Sequence, residues 1–316
     1  MPNTYINPLT DFGFKKLFGE EPNKDLLISL LNTLLPERHQ IADLQYTKNE
    51  YQGVGALDRR AIFDLNCVST TGERFIIELQ KAKQRYFKDR SVYYSTFAIQ
   101  EQAKQGDWDY KLSTVYTIAI LDFLIDEQEQ EVFHYVGMKD QHNRPFFDKL
   151  HFIYVVLPRF GKGLDELSTL QDKWLYTLRH LAELRDQPHV FSERIFRRLF
   201  ALAELAQFDP KDRQRYEDSL KYLRDLKNSE ETARLEGEMR GRLEGLQEGM
   251  EKGMEKGLQE GLEKGIEKGM EKGKLEIARN LLDVLDDETI AAKTGLSCVV
   301  IAESGQSLEH LVAKDA

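Results

Sequence analysis

The stretch FDLNCVSTTGERFIIELQKAK, residues 63–83, leaves the chain little choice of local fold. Apolar residues alternate on both sides of Thr70-Thr71-Gly72, and side chains in a strand have a period of two, which predicts two strands around a three-residue loop. Gly72 supplies the positive φ that a bulged loop of this length needs. Ala61, Phe63, Leu65 and Cys67 then project to one side, and Ile62, Asp64, Asn66 and Val68 to the other. In the second strand Phe75, Ile77 and Leu79 oppose Arg74, Ile76, Glu78 and Gln80. The register set by the loop puts Asp64 directly across from Glu78.

Carboxylates facing each other across a ladder repel unless a cation or a shared proton intervenes. Two readings fit the pattern. One is an ordinary hairpin with a solvated acidic face. The other is a hard divalent ion such as Mg²⁺, held by one or two carboxylates with waters and phosphate oxygens completing its shell.

Composition narrows the alternatives. With 316 residues and 41% hydrophobic content, the chain can bury one sizeable core and carry a further segment. Cys67 and Cys298 lie far apart and the seven His residues show no HxH or HxxxH spacing, so neither a disulfide framework nor a zinc cluster is expected. The start MPNTYINPLT lacks a signal-peptide pattern, and the apolar run near 115–125 is interrupted by Asp122. A cytoplasmic protein without a membrane span is expected.

The net charge of −10 is unevenly spread. Residues 1–228 hold 32 Lys and Arg against 34 Asp and Glu, whereas residues 229–316 hold 12 against 20. Directly after the hairpin, Lys81, Lys83, Arg85, Lys88 and Arg90 alternate with Tyr86, Phe87, Tyr93 and Tyr94. Such a patch can contact phosphates, and it can equally be a solvated helix face.

Along the chain, two helices cover TDFGFKKLFGEEPNKDLLISLLNTLLP, with Asn23 as a cap and Pro36 as a stop. Strands follow near 42–52, 61–68 and 74–80, then a helix near 86–105, a buried strand at 114–123, strands near 131–137 and 151–157, and helices over 164–226. This is an α/β order in which helices cover the hairpin on one side.

NPLTDFGFKKLFG, the pair Asp64 and Glu78-Leu79-Gln80, and YKLSTVYTIAILDF together resemble the PD-(D/E)xK nuclease family transposases, also called the recombination-promoting nuclease (Rpn) family. The resemblance spans about residues 3–230. It implies a restriction-endonuclease-like core, a mixed sheet flanked by helices, that cuts DNA with Mg²⁺ or Mn²⁺. Asp64 and Glu78 would take the metal-ligand positions, with Gln80 where the wider superfamily has Lys. A lysine there can stabilise charge developing on a phosphate, whereas glutamine can only hydrogen-bond. Lys81 and Lys83 could supply the cation; on an ideal strand Lys81 faces away from Gln80, whereas Lys83 lies beyond the strand end and is the less constrained candidate, so the catalytic set implied is Asp64, Glu78, Gln80 and Lys83. Asp11 and Glu50 are further acids that could approach the site, with helix capping and solvation as their plain alternatives. The competing function is a nuclease-derived binding module in which Gln80 marks lost catalysis.

After the core, residues 1–160, and a helical extension, 161–230, glycine recurs every fourth residue from Gly237 to Gly273. Glycines cost a lone helix on the order of 1 kcal/mol each relative to Ala, so the segment 231–274 is either a flexible acidic linker or a stalk through which copies self-associate over 234–274. Residues 275–316 read as a small helical module, with Ala291, Gly295 and Ile301 at helix-turn-helix spacing but no basic recognition helix.

Overall fold

In a computed structural model, residues 3–36, 39–51, 61–103 and 109–302 are described. The chain divides into two compact units, residues 1–232 and 233–316.

In the first unit, α1 (Asp11–Phe18) and α2 (Lys24–Leu34) precede β1 (Leu44–Tyr46), β2 (Glu50–Tyr51), β3 (Ala61–Ile62), β4 (Leu65–Ser69) and β5 (Arg74–Gln80). Then come α3 (Phe87–Gln100), β6 (Val115–Leu121), β7 (Phe133–Lys139), β8 (Pro145–Val156), α4 (Leu170–His180), α5 (Arg194–Ala203) and α6 (Pro210–Leu281), the last passing the unit boundary. Six strands form one mixed sheet in the order β1-β4-β5-β6-β8-β7, with β5, β6 and β8 parallel and the remaining pairs antiparallel. β6 lies between two parallel neighbours and is buried along its whole length, which is why VYTIAIL is an unbroken apolar run.

One sheet face meets α1, α2, α4 and α5. Phe14, Leu17, Leu30, Trp174 and Phe196 pack there in one cluster with Phe75, Ile77, Ile118 and Ile120. Fully burying an aliphatic or aromatic side chain of this size contributes roughly 1.5–3 kcal/mol before entropy is counted. α5 shows how a helix is selected for this layer: Phe196, Leu199, Phe200 and Ala203 recur at i, i+3, i+4 and i+7 and are buried, while Arg194, Arg197 and Arg198 stand on other faces.

The opposite face is covered as well, a departure from the one-sided cover expected of the hairpin. Ala98 of α3 packs with Phe63, Ile76 and Val115, and Phe87 packs with Ala119, Leu121 and Tyr154. The strands expected over 42–52 and 61–68 are each broken. β2 and β3 pair with each other in a separate two-stranded sheet, and the chain leaves strand geometry at Phe63 and Asp64. Side-chain alternation resets there, so Phe63 joins the α3 cluster while Leu65 and Cys67 join the large core.

The hairpin loop is the predicted one: Gly72 has φ +95°, its N–H donates to Ser69 O at 3.0 Å, and Leu65 pairs with Ile77. α2 ends at Leu34, two residues before Pro36. Asn23 precedes α2 without a side-chain cap and instead donates Nδ2 to Lys16 O at 3.1 Å.

In the second unit, α6 continues through the glycine repeat to Leu281, and α7 (Asp287–Thr294) follows. Nothing lies within 4 Å of where a Cβ would stand at any glycine from Gly237 to Gly273. Asp286 caps α7 by accepting from Thr289 N–H at 2.9 Å, and Gly295 ends it at φ +71°. Ala278, Ile290 and Ile301 form a small core of their own. Among the described residues no helix is long and apolar enough to cross a membrane.

Candidate active site

The break before β4 decides where Asp64 sits. Asn49 holds it open: Asn49 Oδ1 accepts from Asn66 N–H at 3.1 Å, its Nδ2 donates to Asp64 O at 3.2 Å, and its carbonyl accepts from Phe63 N–H at 2.8 Å. Freed from the ladder, the Asp64 carboxylate swings onto β5, where Oδ2 accepts the Leu79 N–H at 2.6 Å. The Asp64 N–H in turn donates to Glu78 Oε1 at 3.4 Å, and Gln80 Nε2 donates to Glu78 Oε2 at 3.1 Å. Glu78 and Gln80 are each only 8% exposed, so the supposedly wet face is closed around them.

This burial dominates the electrostatics. It pushes the Glu78 carboxyl up to about 8, with the Asp64 charge adding to the rise and Arg90 and the hydrogen bonds opposing it. Asp64 is also raised, chiefly by burial, against the pull of the Leu79 N–H, Lys15 and Lys81. Lys81 is lowered by burial, although Asp11 and Asp64 favour its charge. Asp122, whose N–H donates to Gln80 O at 2.9 Å, is raised by burial and lies 3.4 Å from Lys227 Nζ.

The pair opens into a cleft of about 940 Å³. One wall is α1, which contributes Asp11, Lys15 and Lys16. Its position follows from NPLTDFG. Asn7 Oδ1 accepts from Leu9 N–H at 2.8 Å, Thr10 Oγ1 accepts from Gly13 N–H at 2.9 Å as the N-cap, and Asn7 N–H donates to Tyr216 Oη at 2.8 Å. A Cβ at Gly13 would stand 2.1 Å from Asn7 O, so only glycine fits this close approach. α3 adds Arg90 and Tyr94, and the first turns of α6 add Asp212, Arg215 and Tyr222.

Of the residues singled out in the sequence, Asp64, Glu78, Gln80, Lys81, Arg90 and Asp11 line this one cleft. β5 ends at Gln80, so strand alternation no longer governs Lys81, and it faces the same cleft as Gln80 rather than away from it. Lys83, Arg85 and Lys88 are exposed and are not among the cleft-lining residues; Lys88 borders a separate cavity of about 550 Å³ between α3, β7 and β8. Glu50 is exposed on β2 and does not line the cleft. Thr10, not Asp11, caps α1, and Asp11 pairs with Lys15 at 2.8 Å. The α6 wall has no local signal in the sequence, because Tyr222 and Asp212 reach the site from more than 130 residues beyond Gln80.

Among the described residues no group of three or more His, Cys, Asp or Glu is arranged to hold a metal. What the cleft offers is two apposed carboxylates, an oxygen donor set, with the Gln80 amide holding Glu78 through its Nε2. Such a set suits a hard divalent cation with retained waters and does not suit zinc. Among the described residues, Lys15 and Lys81 at Asp64 and Arg90 at Glu78 only partly offset the effect of burial on the two acids. The residues present therefore fit the ion.

Comparison with curated proteins and with solved structures gave no match. A family model described as PD-(D/E)XK nuclease family transposase matches residues 8–233, from the NPLTDFG segment through the first turns of α6. The mixed six-stranded sheet with flanking helices agrees with a restriction-endonuclease-like fold. The chain belongs to the PD-(D/E)XK nuclease family transposases.

Proposed function

We propose that this chain is a metal-dependent DNA endonuclease that hydrolyses phosphodiester bonds, with Asp64 and Glu78 holding Mg²⁺ or Mn²⁺. The observation that carries this reading is the Asp64–Glu78 pair, two buried acids of raised pKa facing a cleft with basic side chains on its walls.

A bound divalent cation would polarise the scissile phosphate and acidify an attached water. Asp64 is fixed for this by the Leu79 N–H, and Glu78 by Gln80 Nε2. In the reaction water oxygen adds to phosphorus, one P–O ester bond breaks, and the leaving oxygen takes a proton. Lys81, on the same wall as Gln80, supplies the positive charge that glutamine cannot, next to the phosphate oxygens where charge develops. Arg90 and Lys88 of α3, with Lys83 and Arg85 on the connection into it, hold the DNA backbone outside the reacting centre.

In this reading residues 1–160 are the nuclease core, 161–230 a helical extension, 231–274 a stalk that joins copies of the chain, and 275–316 a small partner-binding or capping module. Cys67 is a buried free thiol and Cys298 an exposed one, which suits a reducing, cytoplasmic setting.

Gln80 favours a second reading, a nuclease-derived binding module. Plasmid nicking by the wild-type chain with Mg²⁺ and with Mn²⁺ separates the two. Conversion of supercoiled to open-circular DNA, or cutting of single-stranded circles, is expected; both DNAs left intact at high protein concentration with both ions leave only the binding module.

A further inference from the structure

Three cations stand over aromatic rings in or beside the cleft. Lys81 Nζ lies 5.7 Å from the centre of the Tyr222 ring, Arg85 lies 5.3 Å from Tyr86, and Arg90 lies 5.6 Å from Tyr94. Tyr94 and Tyr222 line the cleft, and Tyr86 follows the lining residue Gln84 on the same connection. Tyr222 is 61% exposed and Tyr86 63% exposed, so each keeps ring surface available beyond its cation. A positively charged track interleaved with exposed rings is how proteins hold unpaired nucleotides: the charge follows the phosphates and the rings stack on bases.

The charge of the cleft points the same way. A duplex is gripped mainly through many phosphate contacts, each requiring an uncommitted cation. Here the two lysines of α1 are already answered within the chain, Lys15 by Asp11 at 2.8 Å, and Lys16 by Glu20 at 3.1 Å and Asp212 at 2.9 Å. The duplex-binding domains that rely on phosphate contacts are strongly basic, whereas residues 1–228 carry 32 basic against 34 acidic side chains. Phosphate contact is left to Lys81, Lys83, Arg85, Lys88 and Arg90, and the exposed rings add base contacts that a closed duplex, with its base faces stacked on one another, does not offer.

We propose that the cleft takes its DNA as an unpaired strand, bases stacking on Tyr222, Tyr94 and Tyr86 while the phosphates pass Asp64 and Glu78. The inference rests on the nuclease reading of this cleft, and it narrows the substrate to single strands, bubbles, flaps or gaps.

The test uses the full chain and three fluorescein-labelled DNAs of one sequence: a single strand, its duplex, and the duplex with a central bubble. Binding is read by anisotropy in EDTA, and cleavage separately with Mg²⁺ and Mn²⁺. Single strand and bubble should bind about ten-fold or more tightly than duplex. Tyr222→Ala and Tyr86→Ala, both exposed and so expected to fold, should each lose about ten-fold for the single strand. The same variants should leave duplex binding unchanged, and Tyr222→Phe should keep the wild-type preference. Duplex bound equally well or better, or tyrosine variants that weaken both forms alike, overturn the proposal. Single-strand preference without cleavage upholds stacking and defeats the nuclease; cleavage of duplex and single strand alike upholds the nuclease and defeats the preference.

Discussion

Asp64, at the break just before β4, and Glu78, on β5, are tied together across the hairpin: Asp64 Oδ2 accepts the N–H of Leu79, and Glu78 Oε1 accepts the N–H of Asp64. Both acids thus sit where their protonation is felt by the fold. The folded chain holds Glu78 up at about 8, above the 4.5 of a free glutamate, and raises Asp64 in the same direction. An acid with a raised folded pKa stabilises fully below its unfolded pKa, and that contribution is lost as pH rises through the folded value. In metal-free buffer the melting temperature should fall between about pH 5 and pH 8, on the order of 5 °C or more. Arg90, Gln80 and the Asp64 N–H oppose the rise at Glu78, and Lys15 and Lys81 oppose it at Asp64, so the fall is smaller than burial alone would give. Glu78→Gln should flatten the profile. A wild-type melting curve that does not move over this range contradicts the coupling.

Metal should reverse that loss. Ligands bind deprotonated, so Mg²⁺ or Mn²⁺ binding near neutral pH should release about one proton. Calorimetry in two buffers of different ionisation enthalpy measures the number. The same ions should raise the melting temperature more at pH 8 than at pH 5, because at low pH they compete with a proton on Glu78. Equal thermal shifts at the two pH values would place the ion elsewhere.

Replacing either acid separates chemistry from folding. Asp64→Ala and Glu78→Ala should abolish cleavage, and Asp64→Asn should abolish it while raising metal-free stability. The neutral amide relieves the repulsion with Glu78, and its oxygen can still accept from Leu79 N–H. Lys81→Met should cost about 100-fold in rate, well beyond its loss of DNA affinity, whereas Lys83→Met, outside the cleft, should change the rate by less than about three-fold. Retained cutting in both acid variants sinks the site, and equal effects of the two lysine changes remove Lys81 from its role.

The NPLTDFG segment makes a purely structural test possible. Gly13→Ala would press a methyl group to 2.1 Å from Asn7 O, a clash with backbone that no rotamer relieves. A loss of about 3 kcal/mol is expected, read as a drop on the order of 10 °C in melting temperature. A change of less than 2 °C, or about 0.5 kcal/mol, would mean that α1 shifts freely against Asn7.

How far the sequence discloses this architecture depends on how local the cause is. The register of β4 and β5 is legible because Thr70-Thr71-Gly72 fixes it chemically, within three residues. The break at Phe63 and Asp64 is not, because apolar alternation continues through it and the agent, Asn49, is fourteen residues earlier and looks like any other polar residue. The cover of α3 over Glu78 escapes for a related reason. FKDRSVYYSTFAIQ has no clean apolar stripe, and its buried positions include Ser91 and Ser95. The α6 wall is the least legible, since Tyr216, Ser219 and Tyr222 reach α1 and the cleft through tertiary contact alone.

The glycine repeat yields the last prediction. A four-residue step on an α-helix drifts by about 40°, and the i±4n ridge it forms is inclined about −26° to the axis. Two such ridges lie along each other when helices cross near −50°, so two copies can keep their glycine rows in contact by wrapping around one another. The row beside the glycines is apolar and open: Leu246, Met250, Met254, Leu258, Leu262, Ile266 and Met270 are all more than half exposed in the single chain. Light scattering should therefore show full-length protein as an oligomer and a deletion of 234–274 as a monomer. Substituting Gly253, Gly257 and Gly261 together by Ala makes the test sharper. Alanine raises intrinsic helicity by about 1 kcal/mol per site, yet its methyl groups push two closely packed backbones apart. A stalk predicts weaker self-association despite greater helicity. Greater helicity with unchanged mass, or the same mass with and without 234–274, identifies the segment as a linker.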